Sequence, residues 1–155
     1  MTTALGVARF VNVTLAGILT GNEIGTCAAV HPALGTIPPG SAIAAEQAVT
    51  RRYGQLMPGA MSATIVSAIP VLALLDDAPI ASRLTLLGLG AFATMLAVTL
   101  LGNRPINQEV LRFSPEDPAE AWRALRSRWD RLHRIRVLLD VVGLSCLVAA
   151  VVAPS

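Results

Sequence analysis

Apolar residues gather into four long blocks along this chain: Ala4 to Val30, Met57 to Leu75, Leu84 to Gly102 and Val137 to Ala153. A helix needs roughly 20 residues to cross about 30 Å of hydrocarbon, and each block reaches or approaches that length. The pattern predicts an all-α membrane domain covering residues 1–155, with spans at about 5–30, 57–75, 84–102 and 135–153. Proline and glycine mark the expected boundaries. The first span should end near His31-Pro32, and Ile37-Pro38-Pro39-Gly40-Ser41 should form a turn. Ser41 would then cap a helix from Ala42 to Tyr53 that carries Gln47, Arg51 and Arg52. Pro58-Gly59 and Pro70 should bend the second span. The third should end at Gly102-Asn103, with Pro105 opening a new segment. Ser114-Pro115-Glu116-Asp117-Pro118 has the form of a helix start, with acids near the positive end of the helix dipole.

The polar pattern on the last helix is the unusual feature. Trp122, Arg126, Trp129, His133, Arg136 and Asp140 recur at steps of four and three, so they fall on one stripe of a continuous amphipathic helix that runs into the fourth span. A neighbouring stripe of Ala121, Leu125, Leu132, Ile135 and Leu139 would have met the needs of packing without them. Ionisable groups carried into a span are costly and usually mark a site.

Composition agrees with a membrane protein: charged residues are 14% and hydrophobic residues 54%, and the mean hydropathy is +0.61. A soluble domain holds nearer 25% charged residues. There is no lysine, and ten of the twelve arginines flank the two longer connections. These are Arg51 and Arg52 in one, and Arg104, Arg112, Arg123, Arg126, Arg128, Arg131, Arg134 and Arg136 in the other. The positive-inside rule puts both connections in the cytoplasm of a bacterium, with the termini and the Asp76-Asp77-Ala78-Pro79 turn outside the inner membrane. The first span has a poor signal-peptide n-region and is expected to be retained. A net charge of +2 is no argument for nucleic acid as a partner; the loop arginines suit membrane lipids or a site. Arg123, Arg131 and Arg134 lie off the stripe and are expected to face water or lipid. Cys27 and Cys146 fall in opposite halves of the membrane with no Cys-x-x-Cys, which argues against thiol–disulfide chemistry.

The first span has its own polar face of Arg9, Asn12, Thr20, Glu23 and Cys27, with His31 near it. Glu23 is the sharpest of these, because a carboxylate at that depth must be paired or protonated. An arginine such as Arg136 is the expected partner. With both connections on one side, four helix ends meet at one level: Glu23 to His31, Tyr53, Asn103, and His133 to Asp140. One polar cavity at that level is the economical reading.

These residues carry a resemblance. Asn103-Arg104-Pro105-Ile106-Asn107, then Trp122, then Trp129 with His133 and Arg136 four and seven places on, resemble the signature of the anthrone oxygenase-like family of small four-span proteins. His31-Pro32-Ala33-Leu34 and Gln47 are similar to its first connection. Many members carry Asn where this chain has His133. The resemblance implies oxidation of an anthrone-like polyketide or phenol with O2 as co-substrate and no cofactor. On that reading His133 or Glu23 is the general base, and Arg136 and Arg104 hold the phenolate. Trp122, Trp129 and Tyr53 form aromatic walls for a small aromatic substrate, while Asn103 and Asn107 orient its oxygens. Asp140 fixes Arg136 and hydrogen-bonds His133.

Each role has a plainer counterpart. The tryptophans suit interfacial anchors, Asn103-x-Pro-x-Asn107 suits a loop that caps a helix, and Arg136 with Asp140 suits a structural pair. Two other classes stay open. One is a metal-dependent oxidoreductase with His31, His133, Glu23 and Asp140 as ligands, although no short His-x-x-x-His or Glu-x-x-His spacing supports it. The other is a non-catalytic protein that binds a lipid or quinone-like molecule. Oligomeric state is open, with a homo-oligomer allowed. If the site is catalytic, His133→Ala and Arg136→Ala should remove turnover without unfolding the protein.

Overall fold

The computed structural model describes residues 3–75 and 78–153. Four long helices, each long and apolar enough to cross a membrane, account for the chain: α1 Thr3–Leu34, α2 Pro39–Ala73, α3 Pro79–Arg112 and α4 Ala119–Val152. This is the expected all-α, four-span class. Each helix packs on its two neighbours in the ring α1–α2–α3–α4. The Leu34–Pro39 and Arg112–Ala119 connections therefore share one end of the bundle. Asp76 and Asp77 of the expected turn lie outside the described residues.

The prolines act differently from expectation. Pro32 and Pro105 were expected at helix boundaries, yet both α1 and α3 run past them. In each case the preceding turn widens into a π-helix, at Thr26–Val30 and Thr99–Asn103. The His31 N–H reaches back five residues to the Thr26 carbonyl, and the Arg104 N–H reaches Thr99 in the same way. Proline lacks an N–H, and in an α-helix its ring meets the carbonyl four residues back. A wider i→i+5 turn leaves room for that ring, and the helix continues. Both π turns pack against α4.

α2 likewise joins what was expected to be two elements. It begins at Pro39 behind an extended Pro38, so Ser41 lies inside the first turns and makes no side-chain cap. The helix then runs unbroken through Pro58 to Val66. It breaks at Ser67, because Pro70 cannot donate to the Val66 carbonyl. Asn12 on α1 closes this break: its side-chain amide donates to the Thr64 carbonyl at 3.1 Å and to Ser67 Oγ at 2.8 Å. At the start of α4, Asp117 accepts from the Ser114 N–H at 2.7 Å, consistent with the expected helix start.

The interior is layered. Ala16, Leu19, Met61, Phe92, Met95 and Leu147 form an apolar core in the middle of the bundle, and Ile106, Val110, Leu125 and Trp129 form a second near the connections. Buried Asn103, His133, Arg136 and Asp140 fall between the two cores along α3 and α4, and buried Thr20, Glu23 and Thr26 follow the first core along α1. Apolar side chains such as Phe10 and Leu101 instead face outward, as a lipid-solvated surface requires. α3 and α4 make the most extensive contact in the bundle, and it depends on missing side chains. A Cβ at Gly143 would stand 2.8 Å from the Phe92 ring, and one at Gly88 would stand 3.0 Å from the Gly143 carbonyl.

Because Phe92 is fully buried, Gly143→Ala is expected to destabilise the bundle by about 1–3 kcal/mol. Unfolding in detergent measures this. Gly90→Ala is the control, since its Cβ would meet nothing within 4 Å.

Candidate functional site

The polar stripe of α4 faces inward, and the apolar stripe beside it is less buried. Trp129, His133, Arg136 and Asp140 are buried, Trp122 and Arg126 are half-buried, and Ile135 is exposed. Buried ionisable groups in the bilayer interior are costly unless they are paired. The main pairing crosses from α4 to α1. Arg136 Nη2 donates to Glu23 Oε1 at 2.5 Å, and His133 Nδ1 stands 3.2 Å from Glu23 Oε2. Glu23 thus has the arginine partner expected of it.

A second group, which the sequence reading did not single out, repeats this arrangement one layer nearer the connections. Glu46 on α2 is 3% exposed. Its Oε1 accepts from Arg126 Nη1 at 2.7 Å, and its Oε2 stands 3.3 Å from His31 Nδ1. Arg126 Nη2 also donates to His31 Nδ1 at 2.8 Å and contacts Asp130 at 3.2 Å. Trp129 packs against both groups, whose imidazoles also meet edge-on at 5.9 Å. Its ring stacks on His133 at 4.5 Å and 29°, and it meets His31 at 4.3 Å. The Arg126 guanidinium lies 4.6 Å from the Trp129 ring, a cation–π contact. One signal for Glu46 was present in the sequence. Arg126 sits on an inward-facing stripe and needs an anion, and Glu46 lies three residues from Ile43 on the face that α2 buries.

These groups border a cleft of about 630 Å³ at the connection end of the bundle. That volume is in the range of small-molecule sites. His31, Glu46, Trp122, Arg126 and His133 line it, together with Cys27, Pro32, Asp130, Arg123 and Arg134. Arg123 and Arg134, expected to face only water or lipid, therefore also border the cleft.

Other expected site residues lie elsewhere. Asn103 donates to the Trp129 carbonyl at 3.4 Å, and Asn107 Oδ1 accepts from Trp129 Nε1 at 2.7 Å. The Asn-x-Pro-x-Asn segment therefore holds Trp129, where it was expected to orient a ligand. Tyr53 Oη is 3.0 Å from Thr26 Oγ1 and 3.4 Å from Asn22, and Tyr53 does not line the cleft. Arg104 is exposed, so it is not a buried clamp. Asp140 is fully buried, yet neither carboxylate oxygen has a hydrogen-bond partner among the described residues. Arg136 reaches across to Glu23 and makes no hydrogen bond to Asp140 on its own helix. His31 and His133 each face a different glutamate. Among the described residues no three His, Cys, Asp or Glu side chains are grouped to hold a metal ion. The four-ligand set His31, His133, Glu23 and Asp140 is thus not assembled. Cys27 and Cys146 are free thiols.

The sequence model of the anthrone oxygenase family matches residues 47–146, more than half of the chain. The chain belongs to the anthrone oxygenase family. No curated protein and no solved structure matches it. The family match covers Asn103, Asn107, Trp122, Trp129, His133 and Arg136. Glu23, His31 and Glu46 come before its first residue, so the carboxylate neighbours of both histidines lie outside the matched segment of this anthrone oxygenase family member.

The pairing changes what Arg136→Ala should do. Removing either partner of the Glu23–Arg136 pair strands a buried charge, and a loss of about 3–5 kcal/mol is expected. Unfolding of Glu23→Leu, Arg136→Leu and the double variant measures it. The double variant should lose less than the sum of the single ones.

Proposed function

We propose that this protein is a membrane-embedded oxygenase that oxidises an anthrone-like or phenolic polyketide substrate with O2, using its own side chains and no resident cofactor. Family membership supports the reaction class. The single observation that carries the reading is His133, held beside Glu23 at 3.2 Å on the wall of a cleft bordered by Trp122 and Arg126.

The chemistry asks for little beyond a base and a shaped site. An anthrone carries an acidic CH2 between two aryl rings. His133 Nε2 takes one proton from it and leaves an electron-rich enolate. Glu23, oriented by Arg136, stabilises the imidazolium that results. The enolate passes one electron to O2, and the carbon radical and superoxide combine to form a C–O bond. The peroxide anion takes the proton back from His133. His133 then removes the second C–H proton as the O–O bond breaks. Hydroxide leaves, accepts that proton and becomes water, and the carbon is left as the quinone carbonyl. The sum is Ar2CH2 + O2 → Ar2C=O + H2O.

Trp122 offers the substrate an aromatic face. Arg126, Arg123 and Arg134 supply the positive rim toward phenolate oxygens, the role first assigned to Arg136 and Arg104. The crowding of arginines at the connection end supports a cleft open to the cytoplasm. Membrane lipid surrounds the outward apolar faces and offers a flat apolar substrate a reservoir to partition from.

The test is O2 uptake and quinone formation by detergent-purified protein given an anthrone, with the rate without protein subtracted. Wild type should turn over, and His133→Gln should lose about 10²–10⁴-fold in rate. Binding of the anthrone without faster O2 uptake would leave a passive binding protein and overturn the proposal.

A further inference from the structure

We propose that His31 is a second functional imidazole of this cleft, of opposite polarity to His133, which donates a hydrogen bond from Nε2 to the anion formed from O2. The inference rests on the oxygenase reading and adds to it a residue that the family match does not reach.

The partners of each ring decide its tautomer. Arginine has donors and no acceptor. Arg126 Nη2 lies 2.8 Å from His31 Nδ1 in hydrogen-bonding geometry, so that nitrogen accepts. The Glu46 contact to the same nitrogen is longer, at 3.3 Å, and Glu46 is already bound to Arg126 at 2.7 Å. A neutral His31 therefore carries its proton on Nε2, which is buried and has no hydrogen-bond partner. His133 is arranged the other way. Its Nδ1 faces a carboxylate oxygen of Glu23 while Arg136 occupies the other oxygen. Neither ring nitrogen of His133 has a hydrogen-bond partner among the described residues; the Glu23 carboxylate beside Nδ1 favours the proton there, which leaves the buried Nε2 lone pair to accept.

One acceptor and one donor are thus buried within the two imidazoles that line the same cleft. Their rings are 5.9 Å apart, and both rest on Trp129. The proposed reaction needs both. Its first step makes a carbanion from a C–H bond, which takes a base. Its second puts negative charge on dioxygen, which favours a fixed donor in a site shielded from water. A buried N–H with no partner costs about 1–3 kcal/mol, and a hydrogen bond that forms only when charge develops on oxygen recovers that cost during the reaction. In this scheme His31 donates a hydrogen bond and transfers no proton. The proton that reaches the peroxide is the one His133 removed from carbon, so atoms and electrons balance as above.

Separating the two half-reactions tests this. Wild-type protein mixed with an anthrone without O2 should form the coloured enolate, and O2 added afterwards should convert it to quinone. His31→Leu should form the enolate at the wild-type rate and then react with O2 at least tenfold more slowly. His31→Gln should recover part of that step, since its amide oxygen can accept from Arg126 while its NH2 donates. His133→Gln should fail earlier, at the enolate. Oxidation by His31→Leu at the wild-type rate would overturn the inference and leave the oxygenase reading intact. If His31→Leu no longer binds the anthrone, as read by tryptophan fluorescence, His31→Gln decides. Binding with fast oxidation then supports the donor, and binding with slow oxidation overturns it. A wild-type protein that forms no enolate removes the oxygenase reading and this inference together.

Discussion

Glu23 is the residue on which the bundle turns. An ionised carboxylate in hydrocarbon is tolerated only with a partner of opposite charge in direct contact. Its partner Arg136 sits 113 residues away in sequence, on the helix that closes the ring. Apolar helix faces could slide past one another at modest cost, since lipid is as apolar as leucine. A Glu–Arg contact at 2.5 Å cannot slide. It sets the register of α1 against α4, and with it the heights of His133, Asn103 and Trp129. The Glu46–Arg126 contact does the same for the start of α2 against the start of α4. Two long side chains thereby join helices whose backbones do not touch across the ring.

The two π turns belong to the same logic. Each ends immediately before an x-Pro step, and each turns a polar residue inward at the level of the charged layer: His31 after the first, Asn103 within the second. Wide turns of this kind recur near functional sites because they redirect one side chain without ending a helix. Here one aims an imidazole at the cleft. The other brings the Asn103 and Asn107 amides up to Trp129, which serves as the shared floor of both histidines.

Much of this was legible in the sequence, and the reasons are physical. Hydrophobic block length is a direct readout of membrane thickness, so the four spans followed from apolar runs alone. The Trp122 to Asp140 stripe was legible because helical periodicity survives any tertiary context. The pairing of Glu23 with an arginine followed from the cost of a bare buried charge. Glu46 escaped notice because it lies outside the four long apolar blocks, where a glutamate has no need of explanation until its burial is known. The continuous helices through Pro32 and Pro105 escaped for a related reason. Proline signals a disturbance of the α-helix without saying whether the chain ends the helix or widens it. The contacts of Asn103 and Asn107 with Trp129, and of Tyr53 with Thr26, were not legible because a polar side chain at the right level can as well brace a neighbour as meet a ligand.

A π turn holds one residue more than the α turn it replaces, and each residue of an α-helix advances the chain by about 100°. Two relatives of equal length, one with a π turn at Thr26–Val30 and one with an α turn there, would thus differ in which side chain faces the cleft, although their apolar blocks would overlay without complaint. Column-by-column comparison would then set His31 opposite a residue that points into lipid. Relatives are better sorted by the width of the turn than by the letters in it.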